Sequence, residues 1–440
     1  MDALIFPKER LWLLLGLLFV LTVCTTLRLP GLPVGVGELG LALTGLVSVF
    51  LLRRRILPAL RQYRVLAGLW GIYLVSLAVA GGFSAVAGRL SAGWLHDVMA
   101  FCFAIGTAFL LLLLVGDSRR NMRHFALGFV GVALAFSCFA FLLVIVDYLI
   151  GKPVLSPAFL ANGWWYGRFN AWAADPNQWA LLLLVAGMLL VLLAERLRPV
   201  LLVLLLWLFL EVRSDAAVMG LLAFMLVYAG IVYYRQPALR RQALTVFMIF
   251  LAVFATFRLV ADKLPPSPVL RAVGAVAGVA PTEKMLKKRK GMLEKGNRLF
   301  VGNGADKLNQ RITLWGNSIK AWRHSPVVGL GPGAYSGVTR PLQNTESHNL
   351  YLQILVNTGV VGLLAALGFV IWLVRSLWRT PETAPWIAAL AGLLVQGVGQ
   401  YLMRHPVFWV LIVLLVWQAQ HACGNGPAAA DADTAAAAGA

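Results

Sequence analysis

Charge is scarce in this chain. Only 13% of its 440 residues are Asp, Glu, Lys or Arg, where a soluble globular protein carries roughly 25%. Acids are scarcer than bases, with 18 Asp and Glu against 38 Lys and Arg. That scarcity excludes a water-soluble enzyme, and the high apolar content excludes a disordered chain. The four cysteines, Cys24, Cys102, Cys138 and Cys423, form no CxxC pair, so neither a zinc site nor a disulfide framework is visible. No GxxxxGK[ST] loop is present to hold a nucleotide. The first apolar run, from Leu11 to Thr26, is followed by Arg28 and Pro30 rather than a small-residue cleavage site, so it is expected to stay as a span.

What is present is hydrocarbon. Hydrophobic residues make up 60% of the chain and the mean hydropathy is +0.80. Apolar runs near the length of a bilayer crossing, about 20 residues, lie near 11–27, 34–52, 65–82, 94–115, 125–149, 177–194, 199–212, 215–234, 243–260, 350–374, 386–402 and 405–420. The expected fold is an all-α polytopic membrane protein of about twelve transmembrane helices. Spans one to nine occupy 1–260, a large loop 261–346 and the last three spans 347–420, and an Ala-rich tail over 421–440 reads as disordered.

The net charge of +20 divides along this map. With both termini in the cytoplasm, 17 Lys and Arg fall in inside segments, among them Arg53, Arg54, Arg55, Arg61 and Arg64, and only 6 in short outside loops. This is the positive-inside bias, and the mirror topology reverses it. The long outside loop is exempt from that rule, yet it holds 14 basic residues against Asp262, Glu283, Glu294, Asp306 and Glu346. Nucleic acid is not the partner that such a membrane-bound excess suggests. Anionic membrane lipids, or an anionic lipid-linked substrate, are. Within the loop, Leu308, Ile312, Trp315, Ile319 and Trp322 recur at helical spacing, which predicts an amphipathic helix with Arg311 and Lys320 off the apolar stripe. A glycine-rich connection, Gly329, Gly331 and Gly333, leads on to span ten.

Span ten opens on Ser347–His348–Asn349. An ionisable side chain at the mouth of a span is a functional candidate, and neutral imidazole is available as a base near pH 7. Asn349 either orients a substrate or caps the span.

Three sequence blocks carry a family resemblance. His348–Asn349 is followed after nine residues by Gly359-x-x-Gly362. Upstream, RITLWGNSIKAWRHSPVVGLGPGAY runs from Arg311 to Tyr335. Earlier come Gly167–Arg168–Phe169–Asn170 and Asp175–Pro176–Asn177. Together they resemble the O-antigen ligase and O-antigen polymerase superfamily of bacterial inner-membrane glycan transferases, over roughly residues 150–365. The family's Ser/Thr-Arg pair between spans seven and eight has a variant counterpart here, Glu211–Val212–Arg213–Ser214–Asp215.

The resemblance implies a GT-C-like glycosyltransferase with a large helical periplasmic loop and a periplasmic active site. It implies transfer of O-antigen from undecaprenyl diphosphate to lipid A–core. Such a reaction needs a base for the acceptor hydroxyl and positive charge for the departing diphosphate. His348 is the expected base, and displacement by the activated hydroxyl inverts the anomeric carbon. The outside loops contain no DxD, so guanidinium groups rather than a metal are expected to hold the diphosphate: Arg213 and Arg311, with Arg168 a further candidate. Asn349, Asn177 and Arg298 are the supporting candidates. No cofactor is expected. The basic loop favours a phosphate-rich acceptor and hence a ligase. A polymerase with the same donor, a protein glycosylating enzyme and a transporter of lipid-linked glycans are the alternatives.

Overall fold

The computed structural model describes residues 8–24, 27, 35–87, 94–116, 118–150, 164–165, 168–169, 171–173, 175–193, 198–212, 214–261, 304–332 and 347–424. Among these described residues are 14 α-helices. These are α1 (Lys8–Leu21), α2 (Val36–Leu51), α3 (Arg53–Gln62), α4 (Arg64–Val86), α5 (Trp94–Val115), α6 (Arg119–Ile150) and α7 (Pro176–Leu193). They continue as α8 (Arg198–Val212), α9 (Asp215–Arg235), α10 (Arg240–Ala261), α11 (Gly304–Trp322), α12 (Leu350–Leu377), α13 (Trp386–Gly399) and α14 (Pro406–Gly424). A two-stranded hairpin, β1 (Trp164–Trp165) against β2 (Arg168–Phe169), precedes α7. Among the described residues, six helices are long and apolar enough to cross a membrane, and α2 with α3 makes a seventh if that bent pair is one span. Five shorter apolar helices accompany them.

A helix apolar on every side has no stable place except inside a bundle or in lipid. α7 takes the first option: every residue from Trp179 to Val191 is buried. α14 is likewise buried from Pro406 to Trp417. Around them, small residues allow close crossings. Gly220 of α9 and Gly392 of α13 face each other so closely that a Cβ on either would lie 2.7 Å from the other's carbonyl oxygen. At one end of the bundle, Arg235 at the end of α9 donates to Trp378 O (3.0 Å) and stacks on that ring, while Gln236 Nε2 donates to Pro381 O (2.6 Å). At the other end lie the starts of α9 and α12 and the end of α13.

The sequence pattern treats α12 as one continuous span. The structure interrupts it at Gly359 (φ 66, ψ −163). A break inside an apolar bundle frees peptide groups, each costing several kcal/mol if left unpaired. The glycine-rich connection supplies the partners. Leu330 N–H donates to Val356 O (2.7 Å) and Gly331 N–H to Asn357 O (3.0 Å) on one side of the break. On the other side, Val360 N–H donates to Pro326 O (3.0 Å) and Val361 N–H to Val327 O (3.3 Å). Ser84 Oγ of α4 donates to Leu330 O. The connection therefore stitches α12 together, and three of its contact points need glycine. Gly329 (φ 77) lies on Asn357 and Thr358, Gly331 (φ 88) on Ala80 and Gly81, and Gly359 on Val327.

Alanine at position 359 would combine a left-handed backbone with a Cβ 2.1 Å from Val327 O. Gly359→Ala is expected to lower stability by about 2 kcal/mol or more, read as a fall in melting temperature of the purified protein. Gly368→Ala, in the same helix with open space around its Cβ position, is expected to change stability by no more than about 1 kcal/mol.

Candidate active site

The starts of α7, α9 and α12 and the end of α13 meet at one end of the bundle, and the sequence-predicted residues divide between them. Asn177, in the first turn of α7, accepts from Ser214 Oγ (2.9 Å), the residue before α9. Asp175 Oδ1 accepts from Asn177 N–H (2.9 Å). Asn349 stands before α12, and its Oδ1 accepts from Tyr351 N–H and Leu352 N–H, both at 3.0 Å. Its Nδ2 donates to Val398 O of α13 (3.1 Å). Asn349 is therefore a helix cap that also ties α12 to α13.

Arg311 reaches the same end of α13 from α11. Its Nη1 is 3.3 Å from the point a Cβ of Gly399 would occupy, beside Ala216 of α9. The absence of a side chain at Gly399 makes room for the guanidinium. The end of a helix is where its unpaired carbonyls favour a cation. Among the described residues, half-buried Arg311 makes no hydrogen bond or ion pair. A guanidinium offers five N–H donors to an anion. Arg311 and the His348–Asn349 turn thus abut adjacent residues, Gly399 and Val398.

The side of α11 that packs is not the side the sequence pattern favours. Leu314, Ser318 and Ala321 are buried, whereas Ile312 is 53% and Ile319 38% exposed. Arg311 precedes Leu314 by three residues and shares its face. The physical reason is the stitched loop: Trp322 Nε1 donates to Pro326 O (2.9 Å), and Ala321 packs with Leu330 and Val356. That contact turns the small-residue side of the helix inward and leaves Ile312 and Ile319 outward.

His348 is exposed, and its backbone is left-handed (φ 48). Its imidazole has no partner among the described residues. The turn beneath it is buried and polar. Ser347 Oγ accepts from Asn349 N–H (3.3 Å) and donates toward Asn349 O (3.0 Å) and Gln353 Oε1 (3.1 Å). Gln353 Nε2 donates to Asn357 Oδ1 (3.2 Å). Nearby, Asp97 pairs with Arg404 (3.2 Å), which lies 5.7 Å from the Tyr401 ring. Sequence reasoning quoted Ser347 only as the start of span ten and did not find Gln353 or Asn357 as site neighbours. The available signal was polar residues at four-residue spacing inside an apolar run, Gln353 and Asn357. Arg213 and Arg298 lie outside the described residues. So does the side chain of Arg168, whose backbone is set by β2 opposite Trp165.

Residues 200–367 match the family model described as O-Antigen ligase. Over that segment, less than half of the chain, the protein is similar to the O-antigen ligase family. The match spans α8 to the first two thirds of α12 and includes Arg213, Arg311, His348 and both glycines of the Gly359-x-x-Gly362 element. The resemblance read from the motifs holds over this segment. The family implies membrane glycosyltransferase-type activity of the ligase or polymerase kind, on lipid-linked glycans. A search of the curated proteins returned no match.

The geometry separates the two jobs of Asn349. Asn349→Ser keeps an N-cap oxygen and loses the bond to Val398, so it is expected to cost about 1 kcal/mol. Asn349→Ala loses both, at about 2 kcal/mol in all. Chemical denaturation of the purified protein measures the difference.

Proposed function

We propose that this chain is an O-antigen ligase. It moves O-antigen from undecaprenyl diphosphate to a sugar hydroxyl of lipid A–core, at the periplasmic surface of the bacterial inner membrane. The observation that carries the reading is the meeting of half-buried Arg311, which has no partner among the described residues, and the His348 turn on Gly399 and Val398 at one end of α13. His348 takes the acceptor proton as the hydroxyl attacks the anomeric carbon, and the product is inverted. Arg311 holds the leaving diphosphate with paired N–H donors that stay charged through the reaction. Arg213, one residue before the Ser214 that binds Asn177, is the second clamp, with Arg168 a third. No divalent metal is required, because guanidinium does that work. The twelve-span count, the GT-C-like architecture, the 261–346 subdomain with Arg298, and cytoplasmic termini belong to the same proposal.

The basic loop favours a phosphate-bearing acceptor and therefore ligase over polymerase. Purified protein with lipid-diphosphate glycan and lipid A–core decides: glycan on the core selects ligase, and longer lipid-linked chains select polymerase. His348→Ala is expected to lower transfer about 10²–10⁴-fold with donor still bound. Arg311→Ala is expected to lower it about 10²–10³-fold, with weaker donor binding. Near-normal transfer by His348→Ala overturns the base assignment. Loss of activity on chelation, restored by magnesium, overturns the metal-free mechanism.

A further inference from the structure

The strained turn that carries His348 is held from below, by side chains within the bundle. Left-handed backbone at a non-glycine residue is costly and persists only where its surroundings over-determine it. Ser347, Gln353 and Asn357 are 0%, 2% and 0% exposed. They form one hydrogen-bonded line from the turn to the helix break: Ser347 Oγ to Gln353 Oε1, then Gln353 Nε2 to Asn357 Oδ1. The Asn357 carbonyl is in turn bound by Gly331 N–H of the stitched loop. That loop begins at the end of α11, the helix that carries Arg311. The line therefore connects both ends of the candidate site to one fixed point, the interruption of α12.

We propose that Gln353 is a positioning residue for His348, setting the imidazole through Ser347. The inference rests on His348 acting as the base. A displacement of about 1 Å at such a group costs on the order of 10²-fold in rate. Gln353→Leu keeps the bulk and removes both hydrogen bonds. It is expected to lower kcat about 10- to 100-fold, with the donor KM unchanged, and to alter the rate at which diethyl pyrocarbonate modifies His348. Gln353→Glu keeps the shape, restores an acceptor for Ser347 and, in its neutral form, donates an O–H to Asn357 Oδ1. This variant is expected to recover most of the loss. Ser347→Ala combined with Gln353→Leu is expected to be no worse than Gln353→Leu alone, because the two act as one unit.

An unchanged kcat and an unchanged His348 modification rate in Gln353→Leu overturn the proposal. So does a lower melting temperature with kcat and KM altered together and no rescue by Glu. An altered modification rate, with transfer intact in both Gln353→Leu and His348→Ala, supports the positioning and overturns the base reading instead.

A separate observation carries a second inference. α3 leaves α2 at 99°, across the direction of the spans. Its inner side, Leu52, Ile56 and Ala59, packs on Phe109, Leu113 and Leu114 of α5. Its outer side exposes Leu57 and Leu60 together with Arg53, Arg54, Arg55 and Arg61, followed by Arg64. None of these five arginines has a partner among the described residues, whereas Arg235 and Arg240 lie over the rings of Trp378 and Tyr233. An in-plane helix with exposed leucines and unpaired guanidinium groups fits a headgroup layer.

We infer that α3 binds anionic glycerophospholipid headgroups. Full-length protein reconstituted with phosphatidylcholine and phosphatidylglycerol, then analysed by native mass spectrometry, should retain phosphatidylglycerol. Changing all five arginines to Gln should remove most of it, while Arg235→Gln with Arg240→Gln should not. Equal retention by the five-fold variant overturns the inference. So does loss of a bound acidic protein with the lipid complement unchanged.

Discussion

A helix interrupted inside apolar surroundings leaves N–H and C=O groups with no water to turn to, and something in the protein has to bond them. In this protein the interruption is at Gly359 and the partners come from residues 326–331. Much of the candidate site follows from that exchange. It draws the end of α11 against α12, which brings Arg311 toward the end of α13. It fixes the backbone of Asn357, the foot of the hydrogen-bonded line beneath His348. It also sets where the glycines stand, because Gly329, Gly331 and Gly359 each occupy a place where a Cβ would meet neighbouring backbone within 3 Å.

The site that results has its charge and its scaffold on different elements. Arg311 comes from a helix outside the span series and lies on Gly399, and His348 comes from the mouth of a span, where the next residue, Asn349, is bonded to Val398 of α13. α13 is held against α9 by the Gly220–Gly392 crossing, where neither glycine leaves room for a Cβ. The geometry suits the proposed surface chemistry on a lipid-linked anion: an exposed imidazole, a half-buried guanidinium, and apolar helices that start from the same end of the bundle.

The helices were legible because burial in lipid or in a bundle demands long apolar runs, and those runs are unmistakable in the sequence. α7 and α14 stand where continuous apolar stretches place them. The amphipathic helix was also legible, though its packed side was not. Periodicity pointed to Ile312 and Ile319, and the protein exposes them, because a membrane protein can turn its apolar stripe outward and pack on small residues. The break in α12 was hidden because two glycines in an apolar run are compatible with a continuous span. Only the loop lying across them makes one a left-handed corner. Gln353 and Asn357 share a helical spacing, but what ties them to the site is Ser347, which bonds Gln353 from a turn before the helix that follows no helical period.

By itself the sequence determined that the chain is a polytopic helical membrane protein, and it named His348 and Arg311 as chemistry-bearing residues. Composition and local motif are enough for that, since hydropathy and residue type act independently of distant neighbours. Tertiary structure alone decided that the arginine and the histidine turn meet on Gly399 and Val398. It alone placed Asn349 as a cap and cross-link, and it alone turned a glycine-rich connection into the bond that closes a broken helix. Those outcomes depend on which groups are left unpaired when distant segments pack, a quantity that no local pattern contains.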